Sequence, residues 1–294
     1  MSEPQPDDTA SAAPIRRRYA GAVIAMGTMH GKERQVGPAF EEILGARVIA
    51  PGGLDTDRFG TFTGDVERTM TPTQAATAKA RLAMQATGLP YGLASEATYA
   101  TRYAVVRVHE EVLVFLDDRR GIHVVEGHND LDVPGPPCVV SSVEQAIDAA
   151  RALSFPEQGL AVKTVGDGAV RVFGKGLTDV DSLHAAVAGA LGCADGGQVW
   201  VEPDLRAHHN PTRRRALTRL ARSLAQRLAT PCPSCQGPGF GKVGVETGLR
   251  CRICGTATDL VAADILGCPA CERRQRVPRP DAEADPRWCE CCNC

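Results

Sequence analysis

The chain has 294 residues, a formal net charge of −2, 43% hydrophobic residues and 4% aromatic residues. This length suits two or three domains, and the composition is ordinary for a globular protein. The nearly balanced charge excludes nucleic-acid binding by the whole surface, so such binding would need a local basic patch. No apolar run reaches the roughly 18 residues of a membrane span, and no secretory signal is recognised. We therefore expect a cytoplasmic protein without a membrane partner.

The first half of the chain predicts an α/β domain. Residues 1–18 are rich in Pro, Ala and Asp and are predicted to form a disordered tail. From 19 to 203, apolar runs alternate with helical patterns, which predicts a mixed sheet with flanking helices. A strand at 22–26 leads into a polar loop that opens a helix ending near Leu44, and a second strand follows at 47–50.

A long loop and a well-marked helix come next. The loop 55–67 is rich in Gly, Thr and Asp, and its length favours a functional role. Thr71 and Gln74 form a capping-box pattern with Pro between them, which predicts a helix that Gly88 ends. The strand after it is expected to end on Glu96.

The remaining elements of this domain follow in order. A hairpin is predicted from 111–117 and 122–125, and helices are predicted to be capped at Ser142 and Thr178. Three further strands are expected near 159–165, 169–173 and 198–201.

A basic amphipathic helix is predicted to connect the two domains over 204–230, with Asn210 as its cap. Its leucines at 217, 220, 224 and 228 form an apolar face, and its arginines project largely elsewhere. The run Arg213–Arg215 offers a phosphate or RNA contact. The alternative is a solvated basic face.

Cysteines dominate the last part of the chain, 231–294, since ten of the twelve lie there. Four Cys-x-x-Cys pairs recur with inserts that suit short hairpins, as in zinc ribbons. Reducing conditions make metal ligands more expected than disulfides. The eight predicted zinc ligands are Cys232, Cys235, Cys251, Cys254, Cys268, Cys271, Cys289 and Cys292.

These pairs predict a double zinc-ribbon module with two structural Zn²⁺ ions in closed four-thiolate sites. An iron–sulfur cluster is the alternative. Sequential pairing of neighbouring knuckles is favoured over interleaved, cross-braced pairing because each insert has the length of a hairpin. Cys291 and Cys294 remain as additional thiols.

Candidate chemistry lies upstream of the cysteines. The loop Thr28–Lys32 follows a strand and opens a helix, where α/β proteins bind phosphate on backbone N–H groups. Acidic residues including Glu67 and Glu96 are candidate Mg²⁺ ligands, although a solvated surface carboxylate is the alternative for each. Lys79 is either a phosphate contact or part of an exposed helix face.

Nearly the whole chain after the tail resembles a bacterial family catalogued as domain of unknown function 6671, which brings no activity. The resemblance rests on several short motifs and the four knuckles. The motifs are His30-Gly-Lys-Glu33, Asp55-Thr-Asp-Arg-Phe-Gly-Thr-Phe-Thr-Gly64, Glu67-Arg68, Leu93-Ala-Ser-Glu96, Arg206-Ala-His208, Asn210-Pro-Thr-Arg213 and Pro238-Gly-Phe-Gly241.

Residues 20–192 also resemble the inosine/xanthosine triphosphatases, whose fold is shared with Maf-like proteins. The similarity rests on the Thr28–Lys32 loop, the Ala-rich helix around Lys79, the strand reaching Glu96, and residues 168–178 with the helix that follows. His30 stands where that family has Asn.

This second resemblance implies a Maf/ITPase-like fold in which Thr28, His30, Lys32 and Lys79 contact phosphate. It also implies that Glu67 and Glu96 serve metal binding or base chemistry. The leading hypothesis is a Mg²⁺-dependent nucleoside triphosphate hydrolase that carries a zinc module. The alternative is a non-catalytic protein that binds nucleic acid or protein through its ribbons and the Arg213–Arg215 helix.

Overall fold

The computed structural model describes residues 18–64, 66–102, 106–166, 169–193, 198–280 and 283–293. Residues 1–17 of the predicted tail, together with Asp65 and Cys294, lie outside these ranges. In the described part of the chain, no helix is both long and apolar enough to cross a membrane. The chain forms two compact units: a larger one (Val23–Glu42 and Arg47–Ala225) and a smaller one that contains Gln226–Cys294.

The first sheet of the larger unit has five strands in the order β2-β1-β3-β4-β5. Strand β1 lies parallel to β2 and β3, whereas β3, β4 and β5 form an antiparallel meander. The strands are β1 (Val23–Met26), β2 (Arg47–Ile49), β3 (Tyr91–Arg102), β4 (Val106–Asp117) and β5 (Ile122–Asp130).

Two helices accompany this sheet, α1 (Glu33–Leu44) and α2 (Pro72–Thr87). The predicted cap of α2 is confirmed: the Thr71 side chain accepts from the Gln74 N–H, and the Gln74 side chain accepts from the Thr71 N–H. Gly88 ends the helix with φ of 69°. Small side chains let α2 pack closely on the sheet, in a core formed by Ala76, Ala80, Met84, Ala94, Val114 and Leu116.

Glu96 does not end its strand, so that expectation is wrong. Strand β3 continues to Arg102 because it pairs with β4 along its whole length. Its parallel pairing with β1 ends at Leu93. Glu96 therefore lies just beyond the parallel part of the sheet, where β1 has given way to the loop that leads into α1.

The second sheet of the larger unit has four antiparallel strands in the order β6-β9-β7-β8. They are β6 (Cys138–Val140), β7 (Leu160–Gly166), β8 (Ala169–Leu177) and β9 (Gln198–Pro203), with helices α3 (Val143–Ala152) and α4 (Val180–Gly192) packed against them. Ser142 caps α3 as predicted. The cap of α4 is Asp179 rather than Thr178, because the Asp179 carboxylate accepts from the Ser182 N–H.

Helix α5 (Pro211–Ala229) follows this sheet, and the four leucines of its predicted apolar face are all buried. The smaller unit contains one three-stranded antiparallel sheet in the order β10-β11-β12. Its strands are β10 (Gly241–Thr247), β11 (Val261–Gly267) and β12 (Arg274–Pro278).

Candidate functional site

Two cysteine tetrads lie in the smaller unit, and within each the four sulfur atoms are within 4.8 Å of one another. All eight cysteines predicted as zinc ligands belong to a tetrad. One tetrad joins the first and third knuckles and the other joins the second and fourth. The tetrads are Cys232, Cys235, Cys268 and Cys271, and Cys251, Cys254, Cys289 and Cys292.

The preferred sequential pairing of knuckles is therefore wrong, and the pairing is interleaved. The reason is the antiparallel sheet, in which β10 pairs Gly241 with Gly267 at one end and Thr247 with Val261 at the other. Each strand carries the chain from one end of the sheet to the opposite end. Consecutive knuckles are thus separated by a strand, and alternate knuckles meet, so the module is one cross-braced sheet rather than two ribbons.

The tetrads fit tetrahedral zinc. Sulfurs at the usual Zn–S distance of about 2.3 Å lie about 3.8 Å apart along a tetrahedral edge. The Cys232–Cys271 and Cys235–Cys268 sulfur separations are 3.7 and 3.6 Å. The corresponding separations in the second tetrad are 3.9 and 3.5 Å. A disulfide needs sulfurs about 2.05 Å apart, so these pairs are not disulfides.

Backbone N–H groups support the sulfurs of the first tetrad, as is common around metal ligands. Ser234 donates to Cys232 Sγ over 3.4 Å, and Ala270 donates to Cys268 Sγ over 3.3 Å. Four thiolates close a zinc site to substrate, so such a centre is structural. Cys291 belongs to neither tetrad, and its Sγ accepts from the Thr256 hydroxyl.

A cavity of about 80 Å³ lies in the larger unit, which is room for several waters or a phosphate-sized group. Three residues predicted to contact phosphate, His30, Lys32 and Lys79, line it, and so does Glu96, which was predicted to serve metal binding or base chemistry. Six Lys and Arg side chains face four carboxylates around its wall. The cations are Lys32, Lys79, Arg107, Lys175, Arg206 and Arg213, and the carboxylates are Asp57, Glu96, Glu202 and Asp204.

Lys32 is buried, and its ammonium group donates to the backbone oxygen and the hydroxyl of Ser95, each over 3.0 Å. Both of these acceptors are neutral. Burial, assisted by the nearby charge of Arg213, lowers the pKa of Lys32 to about 7. The amine therefore changes its charge near neutral pH, at the wall of the cavity.

Glu96 is held by two cations. Lys79 donates to one of its carboxylate oxygens, and Arg68 donates to the other over 2.7 Å. Burial alone raises the pKa of Glu96, but the charges of Lys32 and Lys79 bring it below its ordinary value. Glu96 is thus ionised, and it fixes the ammonium group of Lys79 beside the cavity.

Arg213, which the sequence placed among the projecting arginines, is buried with 2% of its surface exposed. Its guanidinium donates twice to the Glu111 carboxylate, over 2.7 and 3.1 Å, and once to the backbone oxygen of Leu205. His109 makes a further bond with Glu111. The charge of Arg213 outweighs the effect of burial and holds the pKa of Glu111 well below its usual range.

His30 is oriented by a carboxylate. Its Nε2 atom lies 3.2 Å from Oδ1 of Asp57, and its ring stacks on His208 with centroids 4.8 Å apart. The His30 backbone N–H donates to the Thr28 hydroxyl over 3.1 Å. Thr28 is buried and positions the loop, and it is not among the described residues that line the cavity.

The second sheet supplies the other wall of the cavity, which the sequence reasoning missed. Asp204 follows β9 and is bound through both oxygens by Arg206, with distances of 3.0 and 2.6 Å. The backbone N–H of Gly176 donates to the same carboxylate. Lys175 and Glu202 also line this wall. The motif Asp204-Leu-Arg206, directly after a predicted strand, is the sequence signal that could have identified this wall.

Glu67 and the arginines at positions 214 and 215 are not among the described residues that line the cavity. Glu67 is exposed and outside the described lining of the cavity. On α5, Arg215 pairs with Asp132 over 3.1 Å, and Arg214 donates to the backbone oxygen of His208. Of the three arginines at the start of the helix, one is therefore buried and two are engaged on the surface.

Comparison with protein families identifies a match. The model of a family described as a domain of unknown function, DUF6671, matches residues 79–294. This span covers most of the chain, and the chain belongs to that family. No curated protein matches the sequence.

Proposed function

We propose that this DUF6671 protein holds a phosphate group of a nucleoside triphosphate in the cavity of its larger unit and hydrolyses the compound. The observation that carries the proposal is the convergence of Lys32, Lys79 and Arg213 on one cavity from distant parts of the chain. Cations in such a buried site attract an anion strongly because water screens them little. A triphosphate carries several negative charges, which suits an excess of cations over carboxylates.

Of these three cations, Lys32 favours an anionic ligand over a structural role alone. Arg213 is already neutralised by Glu111, and Lys79 by Glu96. Lys32, by contrast, is bonded to two neutral oxygens of Ser95. A phosphate oxygen near Lys32 would supply the negative charge that favours its protonated form.

Mg²⁺ belongs to the proposal as a companion of the substrate. This ion keeps several water ligands and binds through one or two carboxylates together with phosphate oxygens. Glu96 is the proposed protein ligand through Oε2, which retains acceptor capacity beside its bond to Lys79, whereas Oε1 already accepts from Arg68 and from the Ala97 N–H. Glu67 has no part in the proposal. The zinc module is proposed to be structural.

The test is hydrolysis by the whole 294-residue chain loaded with zinc. The protein is incubated with Mg²⁺ and a panel of purine and pyrimidine nucleoside triphosphates, and released phosphate and pyrophosphate are measured. We expect Mg²⁺-dependent release from at least one compound. Lys32→Met should reduce it by about tenfold or more, the effect of losing roughly 1.4 kcal/mol of a charge-assisted contact.

The matched control is Lys242→Met, which removes a partly exposed lysine of β10 in the smaller unit. It should leave hydrolysis unchanged. Release from none of the compounds would contradict the proposed function, as would equal release by the wild type and Lys32→Met.

A further inference from the structure

His30 has the geometry of an oriented imidazole. Three contacts fix its position: Asp57 at Nε2, the ring of His208 against its face at an interplanar angle of 24°, and Thr28 at its backbone N–H. Both His30 and Asp57 line the cavity. A catalytic base that is held in this way before substrate arrives needs little reorganisation during the reaction.

The charge of Asp57 settles which ring nitrogen carries the proton. The hydrogen bond with His30 lowers the pKa of Asp57 below its ordinary value, so the carboxylate is ionised near neutral pH. An ionised carboxylate can only accept, and Nε2 of His30 must therefore be the donor. In the neutral ring, Nδ1 then carries the lone pair and is able to take a proton.

Glu96 is less suited to the same task. Its two oxygens already bind Lys79 and Arg68. Protonating it would break up an arrangement of three charges in a buried place, which is unfavourable. Protonating His30 instead creates an imidazolium beside the ionised Asp57, and that pair is mutually stabilising.

We infer that His30, oriented by Asp57, takes the proton from the attacking water in this cavity. The inference rests on the proposed function. The water oxygen bonds to phosphorus while the bond from phosphorus to the leaving oxygen breaks, and that oxygen keeps the electron pair. Nδ1 of His30 accepts the proton of the water, and the imidazolium later releases it to solvent.

The neighbours of the His30–Asp57 pair favour an ionised Asp57 and place a neutral ring against His30. Lys79 and Arg206 face Asp57 and favour its ionised form. Burial and the neighbouring His209 lower the pKa of His208 to about 4, so the ring stacked on His30 is neutral near pH 7. A neutral neighbour does not repel the imidazolium that forms on His30.

The test compares His30→Gln with the wild type on the compound hydrolysed best. We expect kcat to fall by about 10²-fold or more, with KM little changed, because one proton acceptor is removed. Asp57→Asn should lower kcat by a smaller factor, also with KM little changed. Thermal unfolding shows that each variant is folded.

His128→Gln is the matched control, since His128 forms a comparable pair with Asp130, 3.5 Å apart, away from the cavity lining. It should keep full activity. A folded His30→Gln variant that keeps the wild-type kcat overturns the inference alone. A wild type that hydrolyses nothing overturns the proposed function and the inference together. Nitrogen-15 NMR of His30 should find the proton on Nε2, and a proton on Nδ1 alone contradicts the assignment.

Discussion

Arg213 and Glu111 are 102 positions apart in sequence, yet they form a two-bond ion pair that is buried within the larger unit. The pair joins the first turn of α5 to the middle of β4. The Asn210 side chain accepts from the Arg213 N–H, so the residue that caps the helix also fixes the position of Arg213 in its first turn. This ion pair therefore ties the helix to the sheet beside the cavity.

Breaking the pair on one side should strongly destabilise the larger unit. Glu111→Gln leaves the Arg213 guanidinium buried without a carboxylate, and Arg213→Met leaves Glu111 without a cation. Each is expected to lower the free energy of unfolding by about 3–5 kcal/mol, measured by urea denaturation. The double variant should lose less than the sum of the two, since no uncompensated charge remains.

The control for this prediction is Arg215→Met, which breaks an exposed pair with Asp132 on the same helix. It should change stability by no more than about 1 kcal/mol. If the losses of unfolding free energy from Glu111→Gln and Arg213→Met simply added in the double variant, the two charges would not stabilise each other.

Gly27 controls how closely α2 approaches the sheet. A Cβ atom built at Gly27 would lie 2.1 Å from the backbone oxygen of Lys79. Gly27→Ala must therefore displace the turn of α2 that carries this lysine. We expect a loss of at least about 2 kcal/mol in unfolding free energy, as in an overpacked core. Because Lys79 lines the cavity, the binding of sulfate, used as an anionic probe, should also weaken, as measured by calorimetry.

A second glycine provides the comparison. Gly37 lies inside α1, and its added Cβ would come no nearer than 3.9 Å to a side-chain atom of Val48. Gly37→Ala should be neutral or stabilising by up to about 1 kcal/mol through helix propensity. If Gly27→Ala were equally well tolerated, the close approach would have no bearing on stability or binding.

Local patterns in the sequence predicted local structure well. Thr71 and Gln74 identified the start of α2, because a capping box involves neighbouring residues only. The spacing within each Cys-x-x-Cys pair likewise identified eight thiols that lie in tetrads. Which knuckles share a tetrad depends on the direction of the strands between them, and knuckle spacing does not carry that information.

The burial of charged residues was harder to predict, although signals were present. Arg213 lies at helical spacing from Leu217 and Leu220, on the apolar face of α5. In β4, Glu111 alternates with Leu113 and Phe115 and so faces the same buried side. Periodicity identifies the face, but it does not show which distant side chain neutralises the charge. Only the tertiary fold brings those partners together.

The interleaved knuckles predict how zinc content responds to paired substitutions. Zinc bound per chain is measured after purification of each double variant. Cys235→Ser with Cys271→Ser alters one tetrad twice, and we expect one zinc of two to remain. Cys235→Ser with Cys254→Ser alters both tetrads, and we expect both to be weakened or lost.

Sequential pairing of knuckles would give the opposite result, because Cys235 and Cys254 would then share a site. Cys291→Ser is the control within the same segment, since Cys291 lies outside both tetrads. It should retain two zinc ions. Removing zinc from the wild type with a chelator should unfold the smaller unit, as followed by loss of protection from proteolysis.

Anion binding should depend on pH through Lys32. Its pKa of about 7 in the folded protein lies below the ordinary 10.5, so the amine is charged below pH 7 and neutral above it. Sulfate keeps a constant charge over this range and is the probe. Its affinity should fall by up to about tenfold between pH 6 and pH 8, because the charged fraction of Lys32 falls by that factor. Lys32→Met should bind sulfate weakly at both values, with a smaller change between them, and Lys242→Met should behave as the wild type.

The lowered pKa of Lys32 also makes the stability of the protein depend on pH. Between pH 7 and 10.5 the unfolded chain keeps the Lys32 proton that the folded protein has released. The contribution of Lys32 to the free energy of unfolding therefore rises with pH over this interval, and its burial is most unfavourable below pH 7. Lys32→Met should be most stable relative to the wild type below pH 7, and the difference should shrink toward pH 10, measured by urea denaturation across the series. A difference that is constant with pH would show that Lys32 keeps its ordinary pKa despite burial beside Arg213.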